Sequence, residues 1–262
     1  MKKFFLVSLL GISLWSYAQE ENNTDYELRD DEKTGYIINK SGNKIEGIVR
    51  LNGDSQNPWN NQKKVRFIAS NTIDKSKKKQ KFTTYDADDI KEYMAYDGDQ
   101  ARYFESVKYT NFKEGNNTAT GGLSGALKTF NNVTKSTQFA ELLIDGKIKV
   151  YKIYGYPTTF SAGSQIQVAE KESKRLRDFP GYIYSKRGSK PKELNFTEIK
   201  MITADCSLIK KKFEAGEYAS AKTGKEKKSA IGKFIKSEID NAKSNVPEMV
   251  EEIIVDYNNN CK

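Results

Sequence analysis

The chain has 262 residues, 44 Lys and Arg against 35 Asp and Glu, a formal charge of +9 and no histidine. Without imidazole there is no Ser-His-Asp or Cys-His hydrolase and no His-ligated zinc. The length is ample for a hydrophobic core that needs no disulfide scaffold. The positive excess is local: residues 63–81 carry Lys63, Lys64, Arg66, Lys75, Lys77, Lys78, Lys79 and Lys81 against Asp74 alone. A nucleic-acid binder spreads its cations over a face, so no nucleic-acid partner is expected.

The first 18 residues read as a secretory signal: Met1-Lys2-Lys3, the apolar run Phe4 to Leu14, and Ser16-Tyr17-Ala18 before Gln19. The greasy stretch is too short to span a bilayer, and cleavage is expected after Ala18. The product is then exported: periplasmic, outer-membrane-associated or secreted. No cysteine follows the cleavage point, which argues against a lipoprotein, and no later segment has the ~18–20 apolar residues of a membrane helix. Residues 19–32 hold seven acidic residues and only Arg29, an acidic tail expected to be disordered. Cys206 and Cys261, the two cysteines, are expected to bridge in an oxidising compartment. Two cysteines without histidine make no zinc set, and no metal or cofactor is expected.

From Lys33 the apolar residues recur with period two, predicting a β-rich body over residues 33–196. Gly35-Tyr36-Ile37-Ile38 and Lys44 to Leu51 flank Ser41-Gly42-Asn43 as a hairpin, with Ile45, Val49 and Leu51 on one face. Val65 to Ala69 is the next strand, followed by the lysine-rich loop Ser70 to Gln80. Phe82 to Tyr85 is a strand, Asp86 to Ile90 a turn, and Glu92 to Tyr96 pairs with Arg102 to Tyr109 across Asp97-Gly98-Asp99. Residues 111–134, rich in Gly, Asn, Thr and Ser, read as a long loop or linker. Phe139 to Ile144 and Lys147 to Tyr154 then flank Asp145-Gly146. The second of these strands has Ile148 and Val150 on one face and Tyr151 and Ile153 on the other, which predicts cover on both sides. Gly181 to Lys190 echoes Gly35 to Lys44, either as a duplicated unit or because tight hairpins select the same residues.

Beyond Asn195 the period becomes helical. Asn195 with Glu198 forms a capping box, and Ile199, Ile202, Cys206, Ile209 and Phe213 share a stripe, with Asp205 an alternative restart. Ile231 to Ala242 predicts a second amphipathic helix. A last one runs from Pro247 with Val246, Met249, Val250, Ile253, Ile254 and Tyr257 inward. The expected fold is α+β: an antiparallel β-rich body, sandwich or open barrel, followed by a C-terminal cap of about three helices over 197–262.

Gly35 to Ile38 with Gly47-Ile48-Val49, the Leu142 to Tyr151 hairpin around Asp145-Gly146-Lys147, Asp205-Cys206, and Tyr257-Asn258 with Cys261 resemble uncharacterised exported proteins of Bacteroidetes-type bacteria over most of the chain after the signal. The resemblance implies an exported β protein with a helical C-terminal part and carries no activity or catalytic residues.

Three features are candidates for chemistry. The loop lysines Lys75, Lys77, Lys78, Lys79 and Lys81 form a candidate anion-binding site, with an anionic envelope polymer or another envelope protein as partner. Asp86, Asp88 and Asp89, near Glu92, Asp97 and Asp99, form a candidate carboxylate or Ca²⁺ site. Tyr93, Tyr103, Tyr109, Tyr151, Tyr154 and Tyr156 lie on predicted strands and are candidates for a stacking face. Gly121-Gly122-Leu123-Ser124-Gly125 lacks the Lys-Ser/Thr of a phosphate loop. A non-enzymatic envelope binding or scaffolding protein is therefore expected, with a carboxylate-dependent hydrolase of envelope glycans as the alternative.

Overall fold

The structure is a computed structural model, and it describes residues 26–77, 79–109, 137–156, 170, 173–221 and 246–261. The signal, residues 19–25 of the acidic tail, Lys78, the segment 111–134 and the helix expected at Ile231 to Ala242 lie outside these residues.

Ten strands form one antiparallel sheet: β1 (Glu32–Asn39), β2 (Lys44–Arg50), β3 (Lys64–Ala69), β4 (Thr83–Asp86), β5 (Ile90–Asp97), β6 (Gln100–Lys108), β7 (Thr137–Ile144), β8 (Ile148–Ile153), β9 (Gly181–Lys186) and β10 (Lys192–Glu193). Their order is β10-β9-β8-β7-β6-β5-β1-β2-β3-β4, so β4 and β10 are the edge strands among the described residues. Helices α1 (Phe196–Ile202) and α2 (Ser207–Ala215) follow, and at the C-terminus α3 (Val246–Met249) passes through a π-helical turn (Val250–Ile254) into α4 (Val255–Asn260). The α+β class, with a β body ahead of the helices, is as the periodicities imply.

The sheet is curled. Six strand-to-strand steps separate β3 from β8, about 29 Å along the sheet at ~4.8 Å per step. Yet Gln62, two residues ahead of β3, donates from Nε2 to the Tyr154 carbonyl just past β8 at 2.8 Å, and the Tyr154 N–H donates back to Gln62 Oε1. A two-residue lead of at most ~7 Å closes that arc only if the sheet bends into a partial barrel. The link is the short 3₁₀ turn Pro58–Gln62, which fills the concave side with Trp59, Asn61 and Gln62 buried. Asn61 makes the same two-way exchange with Gly53, at 2.7 and 3.1 Å, and its carbonyl accepts from the buried Tyr93 hydroxyl at 2.9 Å.

The concave face has two cores. Under the 3₁₀ turn lie Ile37, Val49, Val65, Phe67, Tyr93, Phe104 and Phe139, the face expected for Val49 with Ile45 and Leu51. Gly47 belongs there because a Cβ would stand 2.0 Å from the Ile68 carbonyl and 2.7 Å from the Phe67 ring. The second core packs Ile148, Val150 and Tyr184 against the helices through Ile199, Ile209, Met249, Ile253, Ile254 and Tyr257. Tyr151 and Ile153 join a smaller cluster on the convex face, so β8 is covered on both sides. Between the two inner cores Glu141 accepts from Arg102 at 2.8 and 3.2 Å and pairs with Lys152 at 2.9 Å.

One expectation needs correction. Glu32 does not end a solvated tail: it opens β1, is 2 % exposed, and pairs through a carboxylate oxygen with Arg50, its register partner on β2. A guanidinium on the neighbouring strand draws it into the sheet. The stripe from Ile199 to Phe213 is two helices, the alternative that a restart at Asp205 offers, with the start one residue later. Asn195 caps the first by accepting from the Glu198 N–H at 3.0 Å, the helix stops at Thr203, and Cys206 is the N-cap of the second. Glu198 turns its carboxylate to the Tyr184 hydroxyl (2.9 Å), so the box is one-sided.

Cys206 and Cys261 are bridged with Cα atoms 5.8 Å apart, an ordinary separation, tying the chain's last helix to the α1–α2 junction. Asn258 fastens the same helix to β8 by exchanging two 2.9 Å hydrogen bonds with Ile148. Gly146 must be glycine beneath it: its φ is +152°, and a Cβ would stand 2.6 Å from Asn258 Nδ2.

Asn258→Ala should lower unfolding free energy by about 1–3 kcal/mol, because it orphans a backbone donor and acceptor. Gly146→Ala should cost a similar amount, and the double variant should cost less than the two together, since one change relieves the other's clash. Urea midpoints of the three variants check this. Replacing both cysteines with Ser should remove about 4 kcal/mol for a loop of this span in the chain-entropy model, read as the change in urea midpoint under non-reducing conditions.

Candidate functional site

The lysine run lies between the 3₁₀ turn Ser70–Thr72 that follows β3 and the edge strand β4, and among its described residues no helix or strand fixes its shape. Gln80 fixes it: its Oε1 accepts from the Asp74 N–H at 3.0 Å and its Nε2 donates to the Asp74 carbonyl at 2.7 Å and the Lys77 carbonyl at 3.0 Å. The Asp74 carboxylate accepts from the Ser76 hydroxyl at 2.6 Å and pairs with Lys77 at 2.8 Å. The Lys77 ammonium, with the Ser76 donors, draws the Asp74 carboxyl down to about 2. Lys75, Lys77, Lys79 and Lys81 are all exposed. The loop is a folded clasp with four exposed lysines, of which Lys77 is paired with Asp74; Lys78 lies outside the described residues.

The cationic surface continues onto the sheet. Lys81 precedes Phe82, whose ring lies 4.2 Å from the Arg50 guanidinium carbon. Arg50 on β2 is in register with Arg66 on β3, which is in register with Thr84 on β4. All three are on the convex face, since Val49 and Phe67 beside them point into the inner core. Alternation of Val65-Arg66-Phe67 places Arg66 opposite the core from sequence alone; its meeting with Arg50 required the strand pairing.

The acidic candidates do not gather into a site. Asp86 and Asp89 close the β4–β5 turn on themselves, the Asp89 N–H donating to the Asp86 carbonyl at 2.9 Å and the Asp86 N–H to the Asp89 carboxylate at 2.8 Å, while Asp88 is exposed. Asp97 is occupied by Arg102 and Lys33. Among the described residues no three Asp, Glu, Cys or His side chains are placed to hold a metal ion.

The tyrosines do not share one face. Tyr93 is fully buried on the concave side, stacked on Phe104 at 4.5 Å, and burial pushes its hydroxyl well above the ordinary value. Tyr103, in register with Met94 and Leu142, lies on the convex side and is 39 % exposed. Tyr36 and Tyr151 fall on the same convex row. Beside that row the register sets Glu92 opposite Glu105. Tyr36 donates to Glu92 at 2.7 Å, Tyr151 to Glu105 at 2.7 Å, and Lys149 pairs with Glu105 at 2.6 Å. Burial first, then the bonded carboxylate, makes both tyrosine hydroxyls weaker acids than an ordinary tyrosine, so they remain neutral donors.

No family model matches the chain, and neither the curated proteins nor the solved structures compared with it contain a match. Among the described residues no helix is long and apolar enough to cross a membrane.

The inner ion cluster governs acid behaviour. Burial alone would raise the Glu141 carboxyl, but the Arg102 bonds and the Lys152 charge outweigh it and hold it below its ordinary value. Asp205, bonded by Lys186 and Tyr257, and Asp256, bonded by Lys212 and Tyr218, are depressed in the same way against their burial. A carboxyl depressed by folding stabilises the fold fully above its unfolded value and loses that contribution as pH falls through its folded one. Stability should therefore be level near neutrality and fall below about pH 4. Glu141→Gln should lose about 2 kcal/mol at pH 7 and show a shallower acid limb in urea titrations at pH 7, 4 and 3.

Proposed function

We propose that the chain is an exported, non-enzymatic envelope protein that binds an anionic envelope polymer through the β3–β4 loop. The observation that carries this reading is the Gln80 clasp. It fixes the backbone of the loop that carries the exposed Lys75, Lys77, Lys79 and Lys81, so a polymer meets cations on a pre-shaped loop and little backbone ordering entropy opposes binding. Each well-placed cation contributes about 1 kcal/mol toward an anionic surface. A disulfide across the helical cap is compatible with the oxidising compartment that a cleaved signal implies. Replacing the four lysines with Ser should abolish association with purified lipopolysaccharide and with the envelope fraction at low salt; unchanged association and unchanged salt dependence would overturn the reading.

A second reading, a carboxylate-dependent hydrolase of envelope glycans, has one observation in its favour. Glu92 and Glu105 are direct cross-strand neighbours flanked by tyrosines, and two-carboxylate glycoside hydrolysis needs such a pair. On this reading Glu92→Gln and Glu105→Gln each abolish glycan turnover with the thermal midpoint retained, and a wild-type protein inert toward a glycan panel removes it.

A further inference from the structure

We propose that Arg50 and Arg66 form a seat for a single oxyanionic group of the bound polymer, at the point where the lysine loop joins the sheet; this rests on the reading of the chain as a binder of anionic polymer. Among the described residues, two buried side-chain polar atoms have no hydrogen-bond partner, Arg50 Nε and Arg66 Nε. They belong to residues that face each other directly across β2 and β3. Two guanidinium groups opposed on one face repel, and a buried N–H without an acceptor bears its desolvation uncompensated. Only Arg50 is offset by acids: its Nη2 reaches Glu32, and its Nε lies 3.1 Å from Asp31 Oδ2 but off the hydrogen-bond direction. Arg66 has no ion pair among the described residues.

One ligand chemistry answers both orphaned donors. A phosphate or carboxylate oxygen between the two forks accepts from each Nε–H and neutralises Arg66, the charge that Glu32 and Asp31 beside Arg50 leave uncompensated. The Thr84 side chain is in register beside Arg66. The Phe82 ring holds the Arg50 plane in position, and Lys81 next to it leads into the exposed lysines. The loop then supplies unspecific attraction, and the arginine pair fixes where along the polymer an anionic group sits.

The test uses the full chain after the signal, with inorganic polyphosphate and polygalacturonate as phosphate and carboxylate polymers and inorganic phosphate as the monomeric probe. Titration calorimetry should show at least tenfold weaker polymer binding for Arg66→Gln. Arg66→Lys should keep the salt dependence of the parent while losing most of the affinity, because it keeps the charge and loses the fork. Which polymer suffers the larger loss identifies the anion. In the unmodified protein the Arg50 and Arg66 Nε–H resonances should shift on adding inorganic phosphate. This measurement is independent of how well the variants fold. Arg66→Gln binding as tightly as the parent, or Nε–H resonances unmoved by phosphate, would overturn the seat even where the loop-lysine variant still loses binding. Loss of binding in neither set of variants would overturn the polymer reading itself.

Discussion

Side-chain amides standing in for strand partners hold this fold together. Asn61 on Gly53, Gln62 on Tyr154, Gln80 on Asp74 and Asn258 on Ile148 each exchange a donor and an acceptor with the backbone of one residue. In each case the amide supplies the pair of bonds that a neighbouring strand would otherwise make. Among the described residues the two outermost strands do not pair with each other, so barrel closure does not set the curvature. Gln62 sets it from inside by joining the lead of β3 to the end of β8. Asn258 then fixes the helices on the part of the concave face that the 3₁₀ turn leaves uncovered.

That division explains why polar groups sit between the two inner cores. The turn and the helices each bury an apolar patch, and where they meet neither supplies enough apolar surface to cover β6, β7 and β8. Arg102, Glu141 and Lys152 fill that junction, with Asp97 supplying the second negative charge beside Arg102, and Glu141 is the member with most to lose if any partner is removed. The cap adds its own ties at Lys186–Asp205–Tyr257 and Lys212–Asp256–Tyr218. The disulfide therefore reinforces a helix that is already bonded at several points along its length.

What could be read in advance follows from the range of the interaction involved. The opposite faces of β8, the Gly42 and Gly146 turns, the Asn195 cap and the inward stripe of the last helix are set within about a dozen residues, and local periodicity shows them. Gln62 and Tyr154 are 92 residues apart, and nothing in the alternation around either names the other. Composition groups Glu32 with the acids before it because it weighs charge without its partner, and Arg50 claims it only once β1 and β2 are paired. The restart near Asp205 is legible only as an alternative, because the stripe satisfies one helix as well as two. The paired carboxylates Glu92 and Glu105, like the opposed arginines, come from register, a property of two strands together and of neither alone.

Cations at a sheet edge have a general explanation: lysines beside a free strand discourage other chains from pairing with it. β4, at four residues and mostly exposed, is such an edge, and its lysine-rich lead suits that role. Guarding the edge does not account for the rest of the pattern. It needs no fixed loop shape, yet Gln80 and Asp74 build one. Arg50 and Arg66 lie on β2 and β3, inside the sheet, where a positive charge deters no incoming strand and where opposing two guanidinium groups costs stability. Edge protection therefore accounts for the lysines beside β4 but not for the Gln80 clasp or for the two arginines opposed within the sheet.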